Sequence, residues 1–278
     1  MSGKVRQQRA ALINDLTGFG RCSLTVQLPL ISALKIVACP LPTAILSVHT
    51  GFERHFIDSY TDKMPKLVQS WQENDLEFDG ILTGYLGSVA QVAVVEDFLQ
   101  KFKGTHTVAL VDPVMGDHGR LYSSFSPEFP SALKRLLAYA DVVTPNLTEA
   151  VYLLGRKYPE NEEVSHNELE DIAGSIAAEG PKKVVITGLK EGRHIKNFIY
   201  DKVRGSSFFL VERVGEDRSG TGDAFSAIVL AELLRGYSLE DAVIKAANFI
   251  STCLEFAVKL DLPTNYGIPF EEYLTELR

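Results

Sequence analysis

The sequence predicts a doubly wound α/β fold, in which helices flank a mainly parallel central sheet. Short apolar runs alternate along the 278 residues with longer segments of helical periodicity, which is the order that parallel strands and crossover helices require. Several of the runs are too continuously apolar for a sheet face in contact with water, as is typical of strands buried on both faces. We therefore predict that residues 1–278 form one domain.

Six segments are predicted strands, because each is a short apolar run that ends at a polar or turn-forming cluster. They are residues 10–13, 44–47, 78–83, 107–112, 141–144 and 183–187. Residues 194–211 contain two more strand-like runs, 197–200 and 207–211, around a polar turn. This last region is predicted to form a hairpin.

Helices are predicted between these strands and at the end of the chain. In residues 88–103 an apolar stripe repeats at helical spacing, and Gly104 supplies a stop. Residues 23–34 have a similar pattern, but Pro29 is expected to break or kink that helix. The remaining predicted helices are residues 224–234, 239–256 and 270–277.

Composition excludes several classes of function. Against 28 Lys and Arg there are 36 Asp and Glu, a net charge of −8, whereas binding to nucleic acids or anionic membranes needs a basic face. Cys22, Cys39 and Cys253 are far apart and form no C-x-x-C pair, which argues against a disulfide framework or a zinc site. No apolar signal core or stretch of eighteen apolar residues occurs. A cytoplasmic protein is expected.

The turn Gly220-Thr221-Gly222-Asp223 directly precedes the predicted helix 224–234 and is the strongest chemical signal. Glycines let backbone N–H groups converge on an anion, and a helix N-terminus adds partial positive charge. Such a turn can bind a transferring phosphate while Asp223 accepts a hydroxyl proton. A structural explanation is equally good for this turn alone, because glycine-rich turns often precede helices and Asp is favourable in a first helical turn.

Two further carboxylates, Asp112 and Glu149, lie just past predicted strands. Mg²⁺ bound to phosphate usually takes few protein oxygens and several waters, so these two side chains are candidate ligands, directly or through water. Glu149 has a structural alternative, in which Asn146 is a helix N-cap and Glu149 completes a capping box. For this motif alone capping is the stronger explanation.

Two common nucleotide-binding patterns are absent from the sequence. There is no G-x-x-x-x-G-K-[ST] motif, which disfavours a P-loop fold. Gly18 and Gly20 begin a G-x-G-x-x-G pattern, but Ser23 occupies the position of its third glycine. A Rossmann dehydrogenase is therefore disfavoured as well.

From Leu12 to about Phe256 the chain resembles the pyridoxal kinase branch of the ribokinase-like superfamily. No single motif is sufficient, but their order along the chain is specific. The motifs are Ile13-Asn14-Asp15 with Gly18-Phe19-Gly20, Ser47-Val48-His49-Thr50-Gly51, Thr83-Gly84-Tyr85, Asp112-Pro113-Val114, Thr144-Pro145-Asn146-Leu147-Thr148-Glu149 and Gly220-Thr221-Gly222-Asp223.

The resemblance implies an ATP-dependent kinase with a flap over the nucleotide site. It makes Asp223 the base that deprotonates a substrate hydroxymethyl group and makes the amides of Gly220, Thr221 and Gly222 an anion hole. Positions lining ATP and Mg²⁺ match Asp112, Asn146, Glu149, Thr187 and Thr221, with Tyr122 on the flap. Asp117 matches a candidate site for a monovalent cation such as K⁺, and a homodimer is expected.

For the substrate, the resemblance implies a B6 vitamer: pyridoxal, pyridoxine or pyridoxamine. Asn14 or Asp15 is expected near a polar atom of the ring, Thr50 beside the ring with His49 next to it, and Tyr85 against its face. Better-known pyridoxal kinases often have Ser where this chain has Asn14-Asp15, and Ser-Asn-His-Thr where it has Ser47-Val48-His49-Thr50. The alternatives are a hydroxymethylpyrimidine (phosphate) kinase of thiamin synthesis and a catalytically silent ligand-binding homologue.

Overall fold

A computed structural model describes residues 6–159 and 164–277. Its strands are β1 (Arg9–Phe19), β2 (Val37–Val48), β3 (Ile57–Ser59), β4 (Gly80–Thr83), β5 (Val108–Val111), β6 (Gly116–Asp117), β7 (Arg120–Leu121), β8 (Val142–Val143), β9 (Lys183–Glu191), β10 (His194–Asp201) and β11 (Gly205–Glu212). Its α-helices are α1 (Leu24–Ala33), α2 (Met64–Glu73), α3 (Val89–Phe102), α4 (Phe129–Lys134), α5 (Leu147–Leu153), α6 (His166–Ala178), α7 (Thr221–Leu234) and α8 (Leu239–Lys259).

The central sheet has nine strands in the order β11-β10-β9-β8-β5-β4-β1-β2-β3. The pairs from β9 through β2 are parallel, while β10, β11 and β3 add antiparallel edges. Strands β6 and β7 form a separate small hairpin after β5. The predicted doubly wound, mainly parallel fold is confirmed, and so is the hairpin within residues 194–211.

Side chains of the parallel strands alternate between two apolar cores, one on each face of the sheet. In β1, Ala11 and Ile13 enter one core, whereas Ala10 and Leu12 enter the other. Helices α2 to α6 cover the first core, and α1, α7 and α8 cover the second. Because both faces are buried, these strands have no polar side to show to water, which explains their continuous apolar runs.

Two helical predictions differ from the structure in detail. The helix is not broken at Pro29, because the buried Leu24, Leu30 and Ile31 of α1 pack against the sheet and α7, and this packing outweighs the one hydrogen bond that proline removes. Residues 270–277 form a 3-10 helix in place of an α-helix, and its longer rise lets eight residues reach between the buried side chains of Phe270 and Leu277.

Parallel strands bring their carboxyl ends to one edge of the sheet, and the polar motifs follow those ends. Asn14 and Asp15 lie in β1, where the register with β2 shifts between Asn14 and Leu16. Asp112 directly follows β5, and the amino end of α7 lies at the same edge. Among the described helices none is long and apolar enough to cross a membrane.

Candidate active site

The amino end of α7 is built for a close approach of backbone to ligand. Gly220 is its N-cap with φ 83°, and a Cβ atom there would lie 1.9 Å from the carbonyl oxygen of Arg21, so only glycine fits. A Cβ on Gly222 would meet nothing within 4 Å. The first turn of a helix leaves its N–H groups without helical partners. Gly222 therefore borders open space, and the N–H groups of this turn are available to an anion that enters it.

Asp223 lies in this first turn and is held at both carboxylate oxygens. The side-chain amide of Asn14 donates to Oδ1 at 2.8 Å, and the backbone N–H of Ser23 donates to Oδ2 at 2.7 Å. Burial raises the pKa of Asp223 to about 6, and the charge of Asp15 adds to this, while the two hydrogen bonds oppose it. A carboxylate with this pKa is ionised at neutral pH and is better matched to proton transfer than an ordinary Asp.

Asn14 and Asp15 are both buried, and their polar atoms are engaged within the chain. Oδ1 of Asn14 accepts from the backbone N–H groups of Asp15 and Tyr85, each at 2.9 Å. The Asp15 carboxylate accepts from the hydroxyls of Ser23 at 2.6 Å and Thr17 at 2.7 Å. The structure thus brings the β1 motif and the α7 motif together around Asp223.

The capping explanation for Glu149 is confirmed. Its carboxylate accepts from the backbone N–H of Asn146 at 2.8 Å, and its own N–H donates to Oδ1 of Asn146 at 2.9 Å. The other carboxylate oxygen accepts from the N–H of Met115 at 3.2 Å. Burial raises the pKa of Glu149 to about 8. Capping does not exclude a ligand role, because the carboxylate lies beside a second buried acid.

That second acid is Asp112, at the end of the neighbouring strand. Burial raises its pKa well above the ordinary value, and the charges of Glu149 and Asp223 raise it further. Asp112 therefore interacts electrostatically with one carboxylate of α5 and one of α7. Repulsion between such neighbouring carboxylates favours a bound cation or a shared proton beside Asp112. Thr187 belongs to the same edge, since it forms a parallel bridge with Asn146.

The predicted flap corresponds to the β6–β7 hairpin and the residues after it. Its turn places His118 at φ 49° and Gly119 at φ 74°, the left-handed pair that tight hairpins use. The N–H of Gly119 donates to the hydroxyl of Thr148 at 2.8 Å, which ties the turn to α5. Tyr122 and Asp117 are both exposed. The flap is thus anchored at one side while these two side chains stay accessible.

Aromatic side chains connect the flap to Tyr85, the residue predicted to contact the substrate ring. The ring centroids of Tyr85 and Phe125 are 5.7 Å apart, and Phe125 stacks on Phe129 at 4.0 Å. Burial raises the pKa of Tyr85, so its hydroxyl stays protonated and can donate a hydrogen bond. A flat ring placed against Tyr85 would therefore also lie near the flap.

His49 links three segments around the α7 turn. Its Nδ1 accepts from the N–H of Gly51 at 3.1 Å, so Nε2 carries the proton and donates to the carbonyl of Asn265 at 2.7 Å. The hydroxyl of Ser219 lies 3.3 Å from the same nitrogen. Thr50 is exposed beside it. His49 is thus a structural link between β2 and the loop that carries Gly220.

Sequence reasoning missed three residues of this site. Ser23 donates its backbone N–H to Asp223. It occupies the third glycine position of an incomplete G-x-G-x-x-G pattern and, as glycines often do, adopts a positive φ, of 54°. The incomplete pattern was therefore the signal that could have identified it. Arg218 donates to the carbonyls of Leu262 at 2.7 Å and Pro263 at 2.9 Å and so fixes the loop before Gly220. The hydroxyl of Ser226 donates to the carbonyl of Asp223 at 3.3 Å and lowers the pKa of Asp112, which no spacing in the sequence indicates.

The chain is similar to known proteins in sequence and in fold. The family model of phosphomethylpyrimidine kinase matches residues 27–267. Pyridoxal kinase PdxY of Actinobacillus pleuropneumoniae serotype 5b is 30% identical over 186 residues, covering 64% of this chain and 63% of the relative. The match thus spans less than two thirds of that relative's length.

Solved structures match over nearly the full chain. A predicted phosphomethylpyrimidine kinase from Bacteroides thetaiotaomicron VPI-5482 is 33% identical in one crystal form, with a TM-score of 0.96 and coverage of 100% of this chain and 96% of the other. A second form, crystallised with pyridoxal, is 34% identical with a TM-score of 0.94, covering 98% and 96%. Pyridoxal kinase from Lactobacillus plantarum is 27% identical with a TM-score of 0.90, covering 98% and 97%.

Proposed function

Because the chain belongs to the phosphomethylpyrimidine kinase family, we propose that it transfers the γ-phosphoryl group of ATP to the hydroxymethyl group of a B6 vitamer, which is pyridoxal, pyridoxine or pyridoxamine. The observation that carries the proposal is the position of Asp223, a half-buried carboxylate held by two hydrogen bonds at the open amino end of α7. The pyridoxal-bound form of the Bacteroides relative supports the choice of substrate.

Asp223 acts as general base in this reaction. Its carboxylate takes the proton of the hydroxymethyl group while the alcohol oxygen attacks the γ-phosphorus in line. The new bond joins that oxygen to phosphorus, the bond from phosphorus to the β,γ-bridging oxygen breaks, and ADP leaves with the bonding electrons. The amides of Gly220, Thr221 and Gly222 stabilise the charge on the transferring group.

Asp112 and Glu149 would hold Mg²⁺, at least partly through water. In residues 6–159 and 164–277 no three His, Cys, Asp or Glu side chains are grouped closely enough to hold a metal ion by themselves. Two buried carboxylates suit Mg²⁺, which keeps several waters and takes phosphate oxygens as its other ligands. The ion would neutralise charge on the phosphates. Asn146, Thr187, Thr221 and Tyr122 would line ATP, and Asp117 is a proposed contact for K⁺.

The vitamer ring would lie against Tyr85, with Thr50 beside it and His49 behind Thr50. An aromatic platform with few polar contacts suits a flat heterocycle. The prediction that Asn14 or Asp15 contacts a polar atom of the ring competes with the hydrogen bonds that both side chains make within the chain. We also propose a cytoplasmic location, supported by three cysteines that form no disulfide, and a homodimeric assembly.

The second candidate substrate is hydroxymethylpyrimidine or its phosphate, which the description of the matching family favours. Its alcohol needs the same base and anion hole, so the site geometry is equally compatible with it. A panel of B6 vitamers and pyrimidines compared by kcat/KM decides between them. Binding of ATP and a vitamer without any turnover would instead indicate a silent ligand-binding homologue.

Replacing Asp223 by Asn tests the catalytic assignment. We expect kcat to fall by at least about a hundredfold while the Kd for ATP stays within about threefold, because the variant loses the base and keeps the helix amides. Asp241→Asn is the matched control, since Asp241 is also the third residue of its helix, α8, but is exposed. Near-normal turnover by the Asp223 variant would refute the assignment.

A further inference from the structure

We propose that the carboxyl end of β1 positions the catalytic base, with Asn14 holding Asp223 directly and Asp15 holding it through Ser23. Neither side chain then contacts the substrate ring. The inference rests on the proposed function of Asp223 and assigns positioning roles to two residues whose sequence motif predicted substrate contacts.

Asn14 has the geometry of a fixed clamp. Its carbonyl oxygen accepts two backbone N–H groups at 2.9 Å, one from Asp15 and one from Tyr85. With the oxygen fixed in this way, the amide nitrogen points at Asp223 Oδ1, 2.8 Å away. Gly84 closes the other side, because a Cβ there would lie 2.4 Å from the amide nitrogen. Asn14 is fully buried, so its second amide hydrogen has little space in which to meet a ligand.

Ser23 supplies the second hydrogen bond from an unusual backbone conformation. Its φ and ψ are 54° and −137°, a region that residues with a Cβ rarely adopt, and this conformation directs its N–H at Asp223 Oδ2. Such a conformation persists only where the surroundings over-determine it. Asp15 supplies that constraint, because its carboxylate accepts the Ser23 hydroxyl at 2.6 Å while Thr17 holds its other oxygen at 2.7 Å.

Together these bonds fix the orientation of the base. Each carboxylate oxygen of Asp223 receives one donor from the chain, which leaves its remaining lone pairs for the substrate hydroxyl. The titratable groups that face Asp223 come from four elements, namely Asp15 of β1, Cys22 before α1, Asp112 after β5 and Tyr122 of the flap. A change at Asn14 or Asp15 therefore acts on the base through both geometry and charge.

Two isosteric variants give opposite predictions for the pH dependence of kcat. Asn14→Asp replaces a donor by a second carboxylate, so the acidic limb of the profile is expected to move up by about one pH unit. Asp15→Asn removes a like charge, so the limb is expected to move down. In both variants KM for the vitamer is expected to stay within about threefold, because the ring is not contacted.

Asn14→Asp places a second buried carboxylate beside Asp223, and this pair could prevent folding. Two more variants keep the test decisive in that case. Asn14→Leu removes the donor and keeps the number and branching of the side-chain heavy atoms, and kcat is expected to fall by about ten- to a hundredfold with KM little changed. Thr107→Val is the control, since it deletes a buried hydrogen bond of 2.8 Å to Phe78 at the opposite edge of the sheet. It should lower stability without moving the pH profile.

A ring-contact role would produce a different pattern. If Asn14→Asp and Asp15→Asn leave the acidic limb in place and raise KM by more than about tenfold for some vitamers only, the inference is wrong. A limb that moves in the same direction in both variants also overturns it. A wrong assignment of Asp223 as the base is recognised by a different result, which is near-normal turnover in Asp223→Asn.

Discussion

Asp223→Asn is expected to stabilise the protein at neutral pH while it lowers kcat by at least about a hundredfold. In the native state the pKa of Asp223 is raised by burial from its usual 3.8 to about 6. Ionising this side chain is therefore harder in the native than in the unfolded chain, and the difference opposes folding. Asparagine has nearly the same shape without the charge.

The expected gain follows from two opposing effects. The difference between a pKa of 3.8 in the unfolded chain and about 6 in the native state corresponds to about 3 kcal/mol at pH values well above 6. An Asn side chain at position 223 has a single acceptor oxygen, so it can accept from Asn14 or from Ser23 but not from both. Losing one of these hydrogen bonds costs about 1 kcal/mol. Asp223 is also partly exposed to water, which reduces the free energy that its raised pKa costs the native state. We expect a net gain of about 1–2 kcal/mol at pH 8.

Urea unfolding of both proteins between pH 4 and pH 8 measures this gain. Between the unfolded value of 3.8 and the native value of about 6, the native wild type holds a proton that the unfolded chain has lost. Wild-type stability from this group thus rises as pH falls through that window, and the advantage of the variant disappears near pH 4. A variant less stable than wild type at pH 8, or an advantage independent of pH, would refute the reasoning. Asp241→Asn controls for helix-terminal charge.

Two further predictions concern stability. Gly220→Ala is expected to lower the free energy of unfolding by about 3 kcal/mol or more and to abolish turnover, because its Cβ would meet the Arg21 carbonyl. Gly192→Ala is the control: Gly192 has φ 59° and nothing within 4 Å of a Cβ, so this variant should lose only about 1 kcal/mol. Equal urea midpoints for the two would contradict this. Glu232→Gln should cost about 2–3 kcal/mol, since this buried carboxylate binds Arg235 and Lys245, each at 2.7 Å. Unchanged unfolding by urea would show that these ion pairs contribute little.

Much of the fold follows from local patterns. The apolar runs located the parallel strands, because strands buried on both faces must be apolar throughout. Short edge strands were harder to predict. The strand of residues 57–59 is exposed and has no continuous apolar run. Pro29 shows the limit of local rules, since packing of α1 on two neighbouring elements decides that its helix continues.

The sequence by itself determined which side chains are available for chemistry at the carboxyl edge: a carboxylate after a glycine turn and acids after two strands. Their types and order are local properties that sequence preserves. Only the tertiary structure decided what Asn14 and Asp15 face, because that depends on the register shift between β1 and β2, the backbone of Ser23 and the approach of α7, which meet across about 200 residues of chain. Contacts of such separation leave no spacing to recognise. The Asp223 carboxylate could therefore be singled out from the sequence, whereas the hydrogen bonds that hold it depend on the folded chain.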